Sequence, residues 1–257
     1  MTFDPSAVRA LFADFPGLHG ALDAAFDGLH GDIFLDDEQS PRVARIVIGD
    51  FHTVAGDPDS PGAKAALEAV PHGDFLAVGP AWPDLVHTSL PDAFPADRFA
   101  FSAPAEWDHR HLAALRESLS ERFRLDRVTK ATVDEFRDLN QTFVDNFASL
   151  DEFLERGVGF AITDTKTSEL VAGCSSYTIS PRCLEFEIET RRDYQRQGLA
   201  LVTGARMIEH CLERRLEPCW DAAHEGSALL AERLGFVSRR RYTAYRIGMP
   251  PPGPPED

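Results

Sequence analysis

The stretch Gln195-Arg-Gln-Gly-Leu-Ala200 combines a glycine and small residues with polar and basic side chains, a composition suited to phosphate binding. It joins a segment that alternates apolar and polar residues, Cys183 to Thr190, to a segment with apolar residues at helical spacing, Leu199 to Leu216. A glycine in the turn from a strand into a helix leaves backbone N–H groups free at the positive end of the helix dipole. Such groups can hold a pyrophosphate, so the motif predicts recognition of a phosphorylated cosubstrate.

Three acids, Glu185, Glu187 and Glu189, alternate along the same predicted strand and therefore project from one of its faces. An unpaired carboxylate is costly to bury, so this face is predicted either to open into a cleft or to pair its acids with arginines. An open face would attract a cationic substrate, and one of its carboxylates could serve as a general base.

Motif and charge exclude several other classes of protein. No Gly-Lys-Ser/Thr follows Gly198, as a P-loop requires, and the three spaced glycines of a dinucleotide-binding fold are missing. The 257 residues carry a formal net charge of −16, which argues against nucleic acid as a partner because phosphate contacts need clustered Lys and Arg. The acid excess is compatible with a cationic amine as substrate, although solubility is its commoner cause.

The cysteines and the apolar runs indicate a protein of a reducing compartment. Cys174, Cys183, Cys211 and Cys219 lie among apolar neighbours, without a Cys-x-x-Cys pair or a histidine at metal spacing, so free buried thiols and no metal are expected. The first residues lack the basic region of a secretory signal, and no apolar run approaches the ~20 residues of a membrane span. We therefore expect a cytoplasmic protein with no membrane contact.

The elements around the motif are predicted to form a sheet flanked by helices. The predicted helices of this part are Thr132–Phe147, Leu150–Arg156 and one that ends near Gly235. The predicted strands are Val158–Thr163, Leu170–Ile179, Cys183–Thr190, Glu217–Asp221 and a pair at Phe236–Ser238 and Tyr242–Ile247.

Residues 1–125 are predicted to be mixed α/β, with many turns and no chemical motif. Helices are expected at Pro5–Phe15, Leu18–Leu29, Gly62–Val70 and His109–Phe123, and strands at Ile33–Leu35, Val43–Phe51 and Phe75–Val78. The segments Gly56–Pro61 and Pro80–Pro95 are predicted to be loops because they are rich in Pro, Gly and Asp.

The motif resembles the acyl-CoA loop of the GNAT superfamily of N-acetyltransferases, Gln/Arg-x-x-Gly-x-Gly/Ala, whose three defined positions are filled by Gln195, Gly198 and Ala200. The predicted order of elements is also that of this superfamily, over residues 127–247. Longer runs resemble a branch that includes the zwittermicin A resistance acetyltransferase, namely Glu187–Thr190, Cys211–Glu213, Trp220–Ala222 and Leu234–Gly235.

This resemblance implies an α/β (α+β) fold of the GNAT type, with a central, mixed and mostly antiparallel sheet flanked by helices. It places the GNAT domain at 126–248, after an N-terminal α/β domain at 1–125. In related proteins such a first half can be a degenerate copy of the same fold, although no second loop motif exists here. A disordered, Pro-rich and acidic tail is expected at 249–257.

The resemblance also implies acetyl transfer from acetyl-CoA to a primary amine without a metal. Backbone groups at the end of the acidic strand would pair with the pantetheine arm, and the N–H groups of the loop would hold the pyrophosphate. The residues expected to bind acetyl-CoA are Ile188, Glu189, Thr190, Gln195, Arg196, Gln197, Gly198, Leu199, Ala200 and Ser227.

A base is needed because an amine with a pKa of about 10.4 is protonated at neutral pH. Glu187 is the first candidate for this role, followed by Glu189 and then Glu185. Glu185, Asp221 and Ser176 are candidates for contact with the amine substrate.

The acid that protonates the leaving thiolate is harder to assign. Many members of the superfamily carry a tyrosine five residues before the Phe of the Gly-Phe pair, and this position is Ala231 here. Tyr242 is retained as a catalytic candidate, with Ser227, Tyr245 or a water as alternatives, and the thiolate can also leave unassisted.

The predicted function is acetylation of a small amine-bearing metabolite or antibiotic. A non-catalytic acyl-CoA-binding or regulatory protein is the alternative, supported by the missing tyrosine, and acetylation of a protein or peptide stays open. The sequence also leaves open whether the chain forms a homodimer.

Overall fold

The computed structural model describes residues 3–250, which divide into two compact units. Among the described residues, unit 1 comprises 3–17, 31–99 and 240–250, and unit 2 comprises Leu18–His30 and Ala100–Arg239. These two units interleave along the sequence, so their bounds differ from the predicted division of the chain between residues 125 and 126. That division stays a prediction about domains. The predicted tail at 249–257 lies outside the described residues except for Met249 and Pro250.

The helices and strands are numbered in chain order. The helices are α1 (Pro5–Leu11), α2 (His19–Phe26), α3 (Ala63–Glu68), α4 (Pro83–Ser89), α5 (His109–Glu117), α6 (Val133–Leu139), α7 (Leu150–Arg156), α8 (Leu199–Arg214) and α9 (Glu225–Leu234). The strands are β1 (Asp32–Leu35), β2 (Val43–Ile48), β3 (Phe51–Gly56), β4 (Phe75–Val78), β5 (Ala93–Ser102), β6 (Phe123–Arg127), β7 (Gly159–Asp164), β8 (Leu170–Ile179), β9 (Cys183–Thr190), β10 (Glu217–Cys219), β11 (Asp221–Ala222) and β12 (Val237–Ile247).

Unit 1 is built around a mixed sheet with the strand order β1-β2-β3-β4-β12-β5. β1, β2 and β3 pair antiparallel, and β4 lies parallel to β3 after the crossover through α3. β12 then pairs antiparallel with β4. Trp82, Leu67 and Tyr245 are fully buried in the core of this unit.

Unit 2 is built around a five-stranded sheet with the order β10-β9-β8-β7-β6. β6, β7, β8 and β9 pair antiparallel, whereas β10 returns parallel to β9 after the long helix α8. This mixed, mostly antiparallel sheet flanked by helices confirms the fold class predicted from the sequence. The order of three antiparallel strands, helix, parallel strand and helix also occurs in unit 1. That the first half is a degenerate copy of the same fold stays a prediction.

One face of the unit 2 sheet is covered by α6 and by α2. Phe136 of α6 packs so closely that a Cβ added at Gly173 would lie 2.6 Å from its ring. Phe136 stacks on Phe143 with ring centroids 4.3 Å apart. α2 is held over the beginning of β9 by Arg182, which forms ion pairs with Asp23 at 3.1 Å and Asp27 at 3.5 Å. The residues 18–30, which precede most of the chain, are therefore a structural part of unit 2.

Several predicted elements differ from the structure. The run Val43–Phe51 is not one strand, because Gly49 turns the chain with a φ of 58° between β2 and β3. The predicted loop Pro80–Pro95 contains α4, whose proline occupies the first helical turn, where its missing N–H costs nothing. The sequence did not predict β5 or β6. The two strands predicted at Phe236–Ser238 and Tyr242–Ile247 are one continuous strand, β12.

Several helices are shorter than predicted; α1, for example, ends at Leu11 and not at Phe15. α5 ends at Glu117 and α6 at Leu139, where Asn140 adopts an extended conformation and begins a 3₁₀ turn at Gln141–Phe143. Across the described chain, no helix has the combined length and apolar character that a bilayer crossing demands.

Candidate functional site

The short strand β10 pairs only with the beginning of β9, and the two chain segments then separate. The parallel register runs from Glu217 opposite Cys183 to Cys219 opposite Glu185 and ends there. Beyond this point β9 continues for five more residues, Phe186 to Thr190, while the chain after Cys219 leaves to form β11. Within the described sheet these five residues pair with β8 alone, so the other backbone edge of β9 is open to an extended ligand.

The segment after β9 forms the loop singled out in the sequence. A 3₁₀ turn at Arg192–Tyr194 leads to Gln195, whose side-chain amide donates to the carbonyl oxygen of Thr190 at 3.2 Å. The backbone is left-handed at Arg196 (φ 59°) and at Gly198 (φ 81°), which is the N-cap of the 16-residue helix α8. The loop is therefore bent back on the end of β9, directly before the positive end of a long helix.

The loop leaves its backbone N–H groups accessible to a ligand. Gln195, Arg196, Gln197 and Gly198 are exposed, while Leu199 is buried and fixes the first turn of α8. A Cβ added at Gly198 would have no described protein atom within 4 Å, so the positive φ, rather than crowding, is what favours glycine there. The first N–H groups of α8 carry no side-chain cap, which leaves them available to an anion.

The three acids of β9 lie on one face, as predicted, but their surroundings differ. Glu185 is only 3% exposed and lies under α2, since a Cβ at Gly20 would be 2.8 Å from its Oε2. Glu187 is partly buried and accepts from Asn140 Nδ2 at 3.3 Å. Glu189 is partly buried at the far end, and its Oε1 accepts the N–H of Thr190 at 2.8 Å. The face is thus closed at Glu185 and becomes accessible towards Glu189.

A cavity of about 620 Å³ opens at the Glu189 end of this face. It is bounded by α6, by the β7–β8 turn and by the residues that lead into the loop. Its lining carries four acids, two arginines and one glutamine, namely Glu135, Asp138, Glu169, Glu189, Arg191, Arg192 and Gln195. Such a volume suits a small molecule. The cavity brings Glu189 together with loop residue Gln195, two residues predicted separately.

Asp221 and Ser176, predicted to contact the substrate, are both engaged within the protein. The carboxylate of Asp221 accepts the backbone N–H of Leu18 at 3.1 Å, at the start of α2. Ser176 is fully buried, and its Oγ accepts the N–H of Val158 at 3.0 Å. Its hydroxyl is therefore not presented to a ligand in this conformation.

Ser227, predicted to bind the cosubstrate, lies in the first turn of α9. Its Oγ accepts from Trp220 Nε1 at 3.2 Å, and its N–H donates to Nδ1 of His224, the N-cap of this helix. Ala231, at the position of the usual tyrosine acid, is completely buried in the same helix. Tyr242 is a buried residue of β12 that belongs to unit 1, so its catalytic role stays a prediction.

Asn140 is a site residue that sequence reasoning missed. It ends α6, and its Oδ1 accepts the N–H of Thr142 at 3.0 Å, which orients Nδ2 towards Glu187. An asparagine after a short amphipathic helix is typical of a helix cap. Nothing in the sequence indicates that it contacts Glu187, which lies 47 positions later in the chain.

The described residues contain no group of three or more His, Cys, Asp or Glu side chains placed to hold a metal ion. All four cysteines are free, and Cys219 is partly exposed whereas the other three are buried, as predicted for them.

Comparisons with protein families and with solved structures point to the same family. A model of the GNAT acetyltransferase family matches residues 10–245. The chain is similar to a GCN5-related N-acetyltransferase-like protein from Streptococcus suis 89/1591, with 31% identity over 94% of this chain and 97% of that chain, and a TM-score of 0.84.

More distant solved structures share the fold alone. A GCN5-related N-acetyltransferase from Kribbella flavida is 15% identical over 89% of this chain and 94% of its own, with a TM-score of 0.59. A tandem GNAT protein from the clavulanic acid biosynthesis pathway is 12% identical over 95% of each chain, with a TM-score of 0.59. No curated protein matches the chain.

Proposed function

Because the chain belongs to the GNAT acetyltransferase family, we propose that it transfers an acetyl group from acetyl-CoA to the primary amine of a small molecule. The observation that carries this proposal is the separation of β9 from β10 after Glu185 and Cys219, on the strand that leads into the loop before α8. An open strand edge can form hydrogen bonds with the amides of an extended arm, and a helix N-terminus can bind a pyrophosphate. Together they suit a molecule that carries both groups.

Acetyl-CoA fits the residues present. Of the residues predicted to meet the pantetheine arm, Ile188 would offer backbone groups at the open edge of β9, whereas the N–H of Thr190 already donates to Glu189 and its carbonyl accepts from Gln195. The N–H groups of 196–200 would hold the pyrophosphate. Gln195, Arg196 and Gln197 border this position, and Arg191 and Arg192 add positive charge beside it. When bound, acetyl-CoA supplies the thioester carbonyl that the amine attacks.

The protein must remove a proton from the amine before attack. Glu187 lies partly buried on the acidic face of β9, and Asn140 orients its carboxylate. Glu189 lies further along the same face of the strand and lines the cavity. We assign the base to Glu187, directly or through a water, and attraction of the ammonium to Glu189, with Glu189 as the second candidate for the base.

The acceptor proposed is a small cationic amine, a metabolite or an antibiotic. The cavity at Glu189 has the volume of a small-molecule site, and Glu135, Asp138 and Glu169 add carboxylates to its lining. The branch that includes the zwittermicin A resistance acetyltransferase stays part of this proposal, as does a cytoplasmic location without nucleic acid or membrane partners.

A non-catalytic acyl-CoA-binding protein is the second candidate, because Ala231 is buried where many relatives of this superfamily carry a tyrosine acid. Under that alternative the protein binds acetyl-CoA and transfers nothing to any amine. Under the proposal, thiol release from acetyl-CoA depends on an added amine and on Glu187.

Calorimetric titration with acetyl-CoA is the first test, with Gly198→Glu as the control. The proposal expects micromolar binding by the natural protein and none by the variant, because a carboxylate at Gly198 would repel the pyrophosphate. Absence of binding by the natural protein would remove the proposal. A screen of amines by thiol release follows, in which Glu187→Gln should lower turnover at least about tenfold with unchanged affinity for acetyl-CoA.

A further inference from the structure

The carboxylate of Asp164, completely buried at the end of β7, is held by donors from three segments of unit 2. Arg122, just before β6, donates to Oδ2 from Nε at 3.0 Å and from Nη2 at 2.5 Å. The backbone N–H of Lys166, in the β7–β8 turn, donates to Oδ1 at 3.0 Å. The hydroxyl of Tyr194 donates to Oδ2, also at 3.0 Å.

This carboxylate is a charged anchor at neutral pH. Its hydrogen bonds with Arg122 are the first cause that lowers the pKa of Asp164 to about 2, and the N–H of Lys166 and the hydroxyl of Tyr194 lower it further. Hydrogen bonds to an ionised carboxylate are about twice as strong as those between neutral groups. The Tyr194 hydroxyl is therefore held firmly at one point.

The ring of Tyr194 is fixed as well. It meets the ring of Phe123 edge-on, with centroids 6.2 Å apart, and the guanidinium of Arg122 lies 5.5 Å from its centroid. The ring also packs against the cluster that contains Leu199 and Val202, from the first turns of α8. Tyr194 is the last residue of the 3₁₀ turn, and the loop begins one residue later at Gln195.

Besides the hydrogen bond from Gln195 to the carbonyl of Thr190, the loop itself has little other support. Its residues 195–198 are exposed, and two of them have left-handed backbone conformations, which cost free energy unless the flanking structure imposes them. On the α8 side the buried Leu199 provides this constraint, and on the β9 side Tyr194 is the residue that enters the interior.

We propose that Arg122, Asp164 and Tyr194 are positioning residues that fix the N–H groups of the loop for the pyrophosphate of acetyl-CoA. Asp164 fixes Tyr194, and Tyr194 fixes the backbone from which the loop departs. Because Lys166 belongs to the turn that borders the cavity, the same carboxylate also couples the shape of the cavity wall to the loop. This inference rests on the acetyl-CoA binding proposed above.

The test is Tyr194→Phe, which removes one hydroxyl and keeps the ring. Its Kd for acetyl-CoA, measured by calorimetry, should rise about three- to tenfold, the range for one hydrogen bond. Binding of S-acetylpantetheine, which lacks the pyrophosphate, should be unchanged when measured by ligand-observed NMR. Asp164→Asn should have a larger effect of the same kind, and Asp126→Asn on β6, whose carboxylate pairs with the exposed Arg124, is the matched control.

The outcomes separate this inference from the proposed function. Natural-like binding of acetyl-CoA by Tyr194→Phe would overturn the positioning role and leave the proposed function intact. An equal loss of affinity for acetyl-CoA and S-acetylpantetheine would also overturn it, because general damage, not pyrophosphate placement, would then be the cause. Failure of the natural protein to bind acetyl-CoA would overturn both, and if Asp164→Asn does not fold, Tyr194→Phe alone decides.

Discussion

The backbone N–H of Leu18 donates to the carboxylate of Asp221 at 3.1 Å, although the two residues lie 203 positions apart. Leu18 is the N-cap of α2, with a left-handed φ of 56°, and its own side chain cannot cap the helix. A carboxylate at the beginning of a helix satisfies a free N–H and interacts favourably with the dipole. Asp221 therefore fastens α2 over the acidic face of the sheet.

Replacement of Asp221 by Ala should lower the free energy of unfolding by about 1–2 kcal/mol, because the capping interaction is lost. Asp221→Asn keeps an acceptor oxygen and should cost less. Urea denaturation measures both. Unchanged stability together with a lost response to amines would instead support the contact with substrate that the sequence predicted for Asp221.

A side chain at Gly20 should be poorly tolerated. An added Cβ would lie 2.8 Å from Glu185 Oε2 and 2.9 Å from the Cβ of Cys219. Gly20→Ala should therefore destabilise the protein by about 1–3 kcal/mol through overpacking. Gly226→Ala is the matched helical control, since its nearest neighbours are 3.3 Å away in the exposed ring of His224. Equal denaturation midpoints for the two variants would contradict this packing argument.

The stability of the protein should fall as the pH drops below about 6.5, the ordinary pKa of histidine. Burial is the main cause that lowers the pKa of His30, which lies 3.0 Å from the carbonyl of Asn146 through Nδ1 and accepts the N–H of Ile179 through Nε2. The unfolded chain binds a proton first, so the stabilisation is complete above this pH and is lost as the pH falls towards the lowered value. Each such histidine contributes a slope of at most about 1.4 kcal/mol per pH unit.

Denaturation between pH 7 and pH 5 checks this expectation. His30→Gln should be less stable at pH 7 and should show a shallower loss of stability on acidification. The loss should not vanish, because the pKa values of His52 and His210 are also lowered, chiefly by burial. An unchanged slope in the variant would show that His30 does not titrate in this range.

Ser227→Ala should leave the indole N–H of Trp220 without its partner. The expected cost is about 1–2 kcal/mol of unfolding free energy, together with a shift in tryptophan fluorescence. If Ser227 instead contacts acetyl-CoA, as the sequence predicted, the affinity for acetyl-CoA should fall while the fluorescence of the free protein stays the same. Calorimetry and emission spectra on the same sample distinguish the two roles.

The parts of the site that depend on local pattern were predictable. The strict alternation of Cys183–Thr190 and the helical spacing after Leu199 give β9 and α8 within two residues of their bounds. Gly198 lies directly before α8, in the turn from strand to helix where the sequence placed it. These features arise from neighbours in sequence, so a single sequence contains them.

The environment of the acids could not be predicted in the same way. Glu185 and Glu189 are equivalent in the pattern, yet α2, some 160 positions upstream, covers only the first of them. Asp164 and Tyr194 are 30 positions apart, and neither stood out from the sequence. Contacts between distant segments decide which carboxylate is buried, which is ionised in a network and which faces a cavity.

Some helices and strands were predicted wrongly because the structural effect of a proline or a glycine depends on its exact position in the element. The sequence pattern places Pro83 in a loop, but this proline begins α4. The same pattern places Gly49 inside a strand, but this glycine forms the turn between β2 and β3.

The interleaving of the two units has a consequence for protein synthesis. β12 lies between β4 and β5 in the sheet of unit 1, so this sheet stays split until the ribosome has released Val237–Ile247. α2 is synthesised early, but it cannot pack on the sheet of unit 2 until β8 and β9 have also been synthesised. Neither unit can finish folding on a nascent chain much shorter than the whole, and apolar surface stays uncovered throughout translation. A chain that stops before β12 should aggregate or be degraded rather than yield a shorter working protein.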